Sequence, residues 1–146
     1  MQNWKEWSTS GGEKCETFPC LREISIVNCP KLDVVAIDSI QSLQVLHVLG
    51  CSIVVLKSMV GVSSSLLSLK MKNVKGLTCL HGEVIEHLGA VEYLKISSCS
   101  ELKYLWESEV DACEILKSLQ ELEISECEEI ISLGEKEVHL GNLLQK

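Results

Sequence analysis

His81-Gly82-Glu83 and eight cysteines are the residues of this chain whose types and spacing could do chemistry. An H-x-E spacing occurs in zinc deaminases, where the histidine ligates the metal and the glutamate moves protons. That site also needs a downstream P-C-x-x-C to complete the ligand set. No such segment follows, and the cysteines at 15, 20, 29, 51, 79, 99, 113 and 127 form no C-x-x-C pair. His81 and His87 lie six residues apart rather than four, so they cannot be the two ligands of an H-E-x-x-H helix. Serines are abundant, yet none sits in G-x-S-x-G, and no G-x-x-x-x-G-K-S/T is present to hold a nucleotide. No catalytic residue, metal set or cofactor site is expected, and the chain reads as a non-enzyme.

Composition narrows the class further. A formal charge of −8 and 13 scattered Lys and Arg argue against a nucleic-acid or acidic-membrane surface, because phosphate binding needs clustered cations. No run reaches the roughly 18 apolar residues of a membrane span, and the start has no apolar stretch of signal-peptide type. Hydrophobic content is 46% with only 4% aromatics, so the core must be aliphatic.

The elements that must carry these residues follow from an internal repeat. Five segments align without gaps on L-x-x-L-x-I-x-x-C-x-x-L, beginning at Leu21, Leu43, Leu66, Val91 and Leu119. Every one of the conserved-type positions (one, four, six, nine and twelve) is apolar or cysteine. At this background such agreement arises by chance on the order of 10⁻⁸ of the time, so the repeat stands. Positions four and six have the period of a short strand with one face buried. Three residues before each start stands Phe18, Ile40, Ser63, Leu88 or Leu116. Fourteen after it stands Val35, Lys57, Leu80, Leu105 or Leu133; Ser63 and Lys57 are the exceptions.

Starts are 22, 23, 25 and 28 residues apart, room for one strand and a return. Such a unit buries its apolar face only against neighbours. The expected fold is therefore α/β: a leucine-rich-repeat solenoid, a horseshoe arc with a parallel concave sheet and loop or short-helix convex returns. Residues 1–17 read as a truncated leading repeat, with Met1, Trp4 and Trp7 at position nine, position twelve and the later apolar site. Residues 18–146 read as the solenoid: five full repeats and a truncated tail in which Leu140 and Leu143 lead into a further unit. With neither end capped, the chain reads as a fragment. His81 and Glu83 fall on a convex return. Cys29, Cys51, Cys99 and Cys127 share position nine, where a buried thiol packs as a small hydrophobe. Strand spacing would also permit a Cys29–Cys51 disulfide.

Phe18-Pro19-Cys20-Leu21-Arg22-Glu23-Ile24-Ser25-Ile26-Val27-Asn28-Cys29-Pro30-Lys31-Leu32 closely resembles the repeats of plant intracellular disease-resistance proteins, F-P-x-L-x-x-L-x-I-x-x-C-P-K-L. Met1-x-x-Trp4-x-x-Trp7 followed by Gly11-Gly12 is similar to the same family, and the segments from Leu94 to Cys99 and from Leu122 to Cys127 match again. Val74 at position nine and Val91 at position one depart from the pattern. The resemblance implies cytoplasmic innate immune recognition, in which repeats contact a pathogen effector, a host protein or the rest of their own receptor. A cytosolic setting disfavours the disulfide. One class of ubiquitin-ligase substrate receptor also carries cysteine at position nine; its more even repeats of about 26 residues fit the spacing less well. An extracellular receptor is disfavoured by the lack of Asn-x-Ser/Thr sites.

Positions three, five and seven alternate with buried ones and must face the concave side. They read Glu23/Ser25/Val27, Val45/His47/Leu49, Ser68/Lys70/Lys72, Tyr93/Lys95/Ser97 and Glu121/Glu123/Ser125. The lane passes from apolar through basic to acidic, a banding that suits protein recognition. Tyr93, Lys70, Lys72 and Lys95 are the foremost contact candidates, with Val45, His47, Leu49, Glu121 and Glu123 beside them.

Overall fold

The computed structural model describes residues 6–8, 20–36, 40–63, 65–105, 116–130 and 144–145. In chain order the elements are β1 Glu6–Ser8, β2 Glu23–Val27, β3 Val34–Ala36, β4 Val45–Leu49, α1 Ile53–Gly61, β5 Ser68–Lys72, α2 Gly82–Ile85, β6 Tyr93–Ser97, β7 Glu121–Ser125 and β8 Leu144–Gln145. One parallel sheet runs β2-β4-β5-β6-β7-β8, and a separate two-stranded parallel sheet joins β1 to β3. The fold is α/β, with a parallel sheet and few helices.

Each five-residue strand spans positions three to seven of the template, and pairing keeps equivalent positions opposite one another. Leu46 faces Ile24 and Leu69, Leu94 faces Leu69 and Leu122, and Met71 lies between Val48 and Ile96. Alternation then sends positions four and six to one side. Leu46, Val48, Leu69, Met71, Leu94, Ile96 and Leu122 are all buried there. They form one apolar cluster with Val55, Leu56, Met59 and Val60 of α1 and Val84 and Ile85 of α2. Ile24 and Ile124 are only partly buried against that cluster.

The residue at position eight turns every strand. Asn28, Asn73, Ser98 and Glu126 have φ between 50° and 54°, and Gly50 has φ 69°. This left-handed conformation costs an L-residue with a Cβ about 1–2 kcal/mol, least for Asn. A ladder of hydrogen bonds offsets it. The N–H groups of Asn28, Gly50, Asn73 and Ser98 donate to the carbonyls of Leu49, Lys72, Ser97 and Ser125, at 2.8–3.1 Å, one strand further on. Gly50 has a second reason to be glycine, since a Cβ there would lie 2.7 Å from Asn28 Oδ1. At the other end of the strands the carbonyls of Arg22, Gln44, Leu67 and Glu92 each accept two N–H bonds from the next strand's entry.

The structure corrects the sequence reading in three places. Val54, at position twelve of the second segment, is exposed. There α1 starts at Ile53, and the helical period turns Val54 outward while Val55, Leu56, Met59 and Val60 turn in. Ser97, expected on the open face, is buried; its short side chain sits between Lys72 and Ser125 of the adjoining strands. In the tail, Leu144 pairs with Leu122 and so takes position four. That unit starts at 141, two residues earlier than the lead-in at Leu140 and Leu143 suggests; a start at 143 would place Lys146 at position four. At the front, Glu6, Trp7 and Ser8 pair with Val34, Val35 and Ala36.

Of the two exceptions to the flanking pattern, Ser63 is buried and satisfies its hydroxyl by donating to the Met59 carbonyl at 2.5 Å. Lys57 reaches Glu83 at 2.8 Å, an ion pair from α1 to the first turn of α2. Among the described residues no helix is long and apolar enough to cross a membrane.

Candidate functional site

The side of the sheet opposite the core displays positions three, five and seven as three rows across the strands. Row three runs Glu23, Val45, Ser68, Tyr93, Glu121. Row five runs Ser25, His47, Lys70, Lys95, Glu123, and row seven Val27, Leu49, Lys72, Ser97, Ser125. All nine candidate residues are exposed or partly exposed.

The rows are not flat. A depression of about 200 Å³ opens around Tyr93, lined by His47, Ser68, Lys70, Lys95, Glu121 and Glu123, with Leu69 and Leu94 at its floor. It gathers six of the nine candidates; Val45, Leu49 and Lys72 lie outside its lining. Ser68 was not among those candidates, yet its size makes the hollow. In row three it stands between Val45 and Tyr93, and its small side chain leaves space beside the ring. Tyr93 is 45% exposed, more than almost any other large apolar or aromatic side chain described.

Electrostatics divide the face. His47 Nδ1 lies 3.2 Å from Ser25 Oγ and 4.0 Å from Glu23. Lys95 pairs with Glu123 at 3.6 Å. Lys70 stands between His47 and Lys95 in row five, and among the described residues neither Lys70 nor Lys72 has an ion-pair partner.

The other chemistry-bearing residues are absorbed by the fold. The thiols of Cys29, Cys51, Cys99 and Cys127 are buried, and each donates to the carbonyl two residues earlier at 3.4–3.5 Å. Cys51 also reaches the Ile26 carbonyl at 3.6 Å. Burial pushes the thiols of Cys51 and Cys99 up from the ordinary value. Cys20, Cys29, Cys51, Cys99 and Cys127 are free thiols, so Cys29 and Cys51 are not joined; Cys15 and Cys113 lie outside the described residues.

His81 precedes α2, with Cys79 Sγ 3.6 Å from its Nδ1. The Glu83 carboxylate turns instead to Lys57, whose hydrogen bond and charge hold it below the usual range. Among the described residues no group of three or more His, Cys, Asp or Glu side chains could hold a metal ion. No protein-family model, curated protein or solved structure matches the chain.

Proposed function

We propose that the chain is a segment of a leucine-rich-repeat solenoid that binds protein non-covalently through the open face of its sheet. In this reading the parallel sheet is the concave lining of a horseshoe arc, α1 and α2 lie on its convex returns, and residues 18–146 are its repeating body. The observation that carries it is the in-register display of three outward rows from consecutive template segments. Such rows present side chains from units far apart in sequence as one surface, whose composition varies while the core columns stay apolar.

The resemblance of Phe18–Leu32 to plant intracellular disease-resistance repeats supports an immune role in the cytoplasm. The partner is then a pathogen effector, a host protein or another part of the same receptor. A ubiquitin-ligase substrate receptor is the second reading, favoured by cysteine at position nine. The unequal spacing of the segments supports the first. The gene separates them: sequence for a G-x-x-x-x-G-K-S/T nucleotide-binding domain ahead of Met1 supports the immune receptor, and an F-box there supports the ligase.

Binding itself is tested by selecting a random peptide library displayed on phage against the whole chain, alongside Tyr93→Ala and His47→Ala variants. Peptides that enrich on the wild type and are lost on Tyr93→Ala support the face as the binding surface. Selection that yields only binders indifferent to both substitutions overturns it.

A further inference from the structure

We infer that the face around Tyr93 docks an acidic, extended segment of the partner protein, an inference that rests on the protein-binding reading above. The chain carries 21 Asp and Glu against 13 Lys and Arg, yet the sheet brings Lys70, Lys72 and Lys95 together from two adjacent strands. Lys70 and Lys95 are direct register neighbours. Like charges placed opposite one another on a sheet repel. Glu123 relieves Lys95; Lys70 and Lys72 have no such relief among the described residues, so a carboxylate arriving from outside has two unneutralised cations to meet.

Beside them Tyr93 offers an exposed ring. Its hydroxyl makes no hydrogen bond among the described residues, and an apolar body with a polar tip is the side-chain type most often found anchoring interfaces. On the other flank Val27 and Leu49 are register neighbours, with Val27 46% exposed. They form a small apolar step next to the lysines.

The acidic residues at the margins limit what fits. Glu121 and Glu123 stand on one side and Glu23 on the other. A continuous polyphosphate crossing the face would meet them at both ends, whereas a short acidic run would not. Strands lie about 4.8 Å apart and an extended peptide advances about 3.3 Å per residue. Passing from β4 to β6 therefore takes about three residues. The fitting segment has an apolar residue over Val27 and Leu49, followed within about four positions by carboxylates over Lys70, Lys72 and Lys95.

The test titrates the whole chain against a fluorescein-labelled dodecapeptide, one leucine followed by four glutamates in a glycine-serine background, and reads anisotropy. Binding should weaken at least tenfold when glutamine replaces glutamate in the peptide. It should weaken similarly in the double variant Lys70→Glu/Lys72→Glu, whose thermal melt stays that of the wild type. Lys103→Glu, an exposed change away from the face, should leave it unaltered. No saturable binding, or equal binding by the double variant, overturns the inference. So does tighter binding of an oligodeoxythymidylate, which would assign the lysines to nucleic acid. Tyr93-dependent phage peptides that are not acidic would sink the inference alone. Loss of every Tyr93-dependent peptide would remove the protein-binding reading as well.

Discussion

Leu69 and Lys70 are adjacent on one strand and belong to opposite regimes. On Leu69's side the register neighbours are Leu46 and Leu94, each at most 2% exposed. On Lys70's side they are His47 and Lys95, and the identity changes again at Glu123. One side stays apolar because it packs into a single buried cluster with α1 and α2. The other varies because solvent accepts almost any side chain there. The outward side can vary without disturbing the core.

Truncation is the largest way to break this contrast. Leu69→Ala should cost about 3 kcal/mol, the usual penalty for a cavity at a buried leucine, while Lys70→Ala should change stability by no more than about 0.5 kcal/mol. Urea unfolding midpoints at constant slope measure both. Ile24→Ala, at the only partly buried start of the same column, should fall between them. Comparable losses at Leu69 and Lys70 would mean that the two sides are not distinct.

A smaller effect comes from the turn that ends each strand. Asn73→Ala forces a Cβ-bearing residue with no helpful side chain to hold φ near 50°, which should cost about 1 kcal/mol. Asn73→Gly should cost little or nothing, as read by the same midpoints. If alanine proves as good as glycine, the hydrogen-bond ladder alone sets the turn.

Position eight also marks where sequence reading stopped. The strands were legible because positions four and six carry a period of two in every segment. The turn residues share a backbone conformation and no chemistry: Asn28, Gly50, Asn73, Ser98 and Glu126. Asparagine and glycine favour positive φ, but serine and glutamate give no such signal; Ser98 is held there by its bond to the Ser125 carbonyl of the next strand. Val54 misled for a related reason, since a strand template extended into a helix changes period. The rows of the face were readable from alternation, and the hollow beside Tyr93 was not. Its shape depends on Ser68 being small next to a ring that enters 25 residues later, a volume difference that no single segment reveals.

The position-nine thiols sharpen the comparison through pH. Burial raises Cys51 and Cys99 above the ordinary value of 9.0, so the folded chain holds those protons more tightly than the unfolded one. The resulting stabilisation is complete below about pH 9 and is lost as pH rises through the folded values. The wild-type melting temperature should therefore fall above pH 9 more steeply than that of Cys51→Val/Cys99→Val. Iodoacetamide at pH 8 should modify exposed Cys20 well before either buried thiol. Parallel alkaline falls in the two proteins would show that other groups set the alkaline limit.

The smallest expected effect lies where a charge intrudes on an otherwise apolar pattern. Lys57 takes a flanking site filled elsewhere by Leu80 and Leu105, both buried, yet its side chain stays 37% exposed and its amine reaches Glu83 across the gap from α1 to α2. The pair lets a lysine stand in for a leucine, its stem covering apolar surface while its head remains in water. Because Lys57 holds Glu83 below 4.5, the pair's contribution is present above that pH and disappears as pH falls through the folded value. Wild type and Glu83→Gln should thus differ slightly at pH 7 and converge once pH falls below the folded value, and 1 M salt at pH 7 should remove most of the difference. Lys57→Leu, which restores the repeat's own residue type, should be at least as stable as the wild type. A clear loss there would show that this return is built around the ion pair rather than around the repeat.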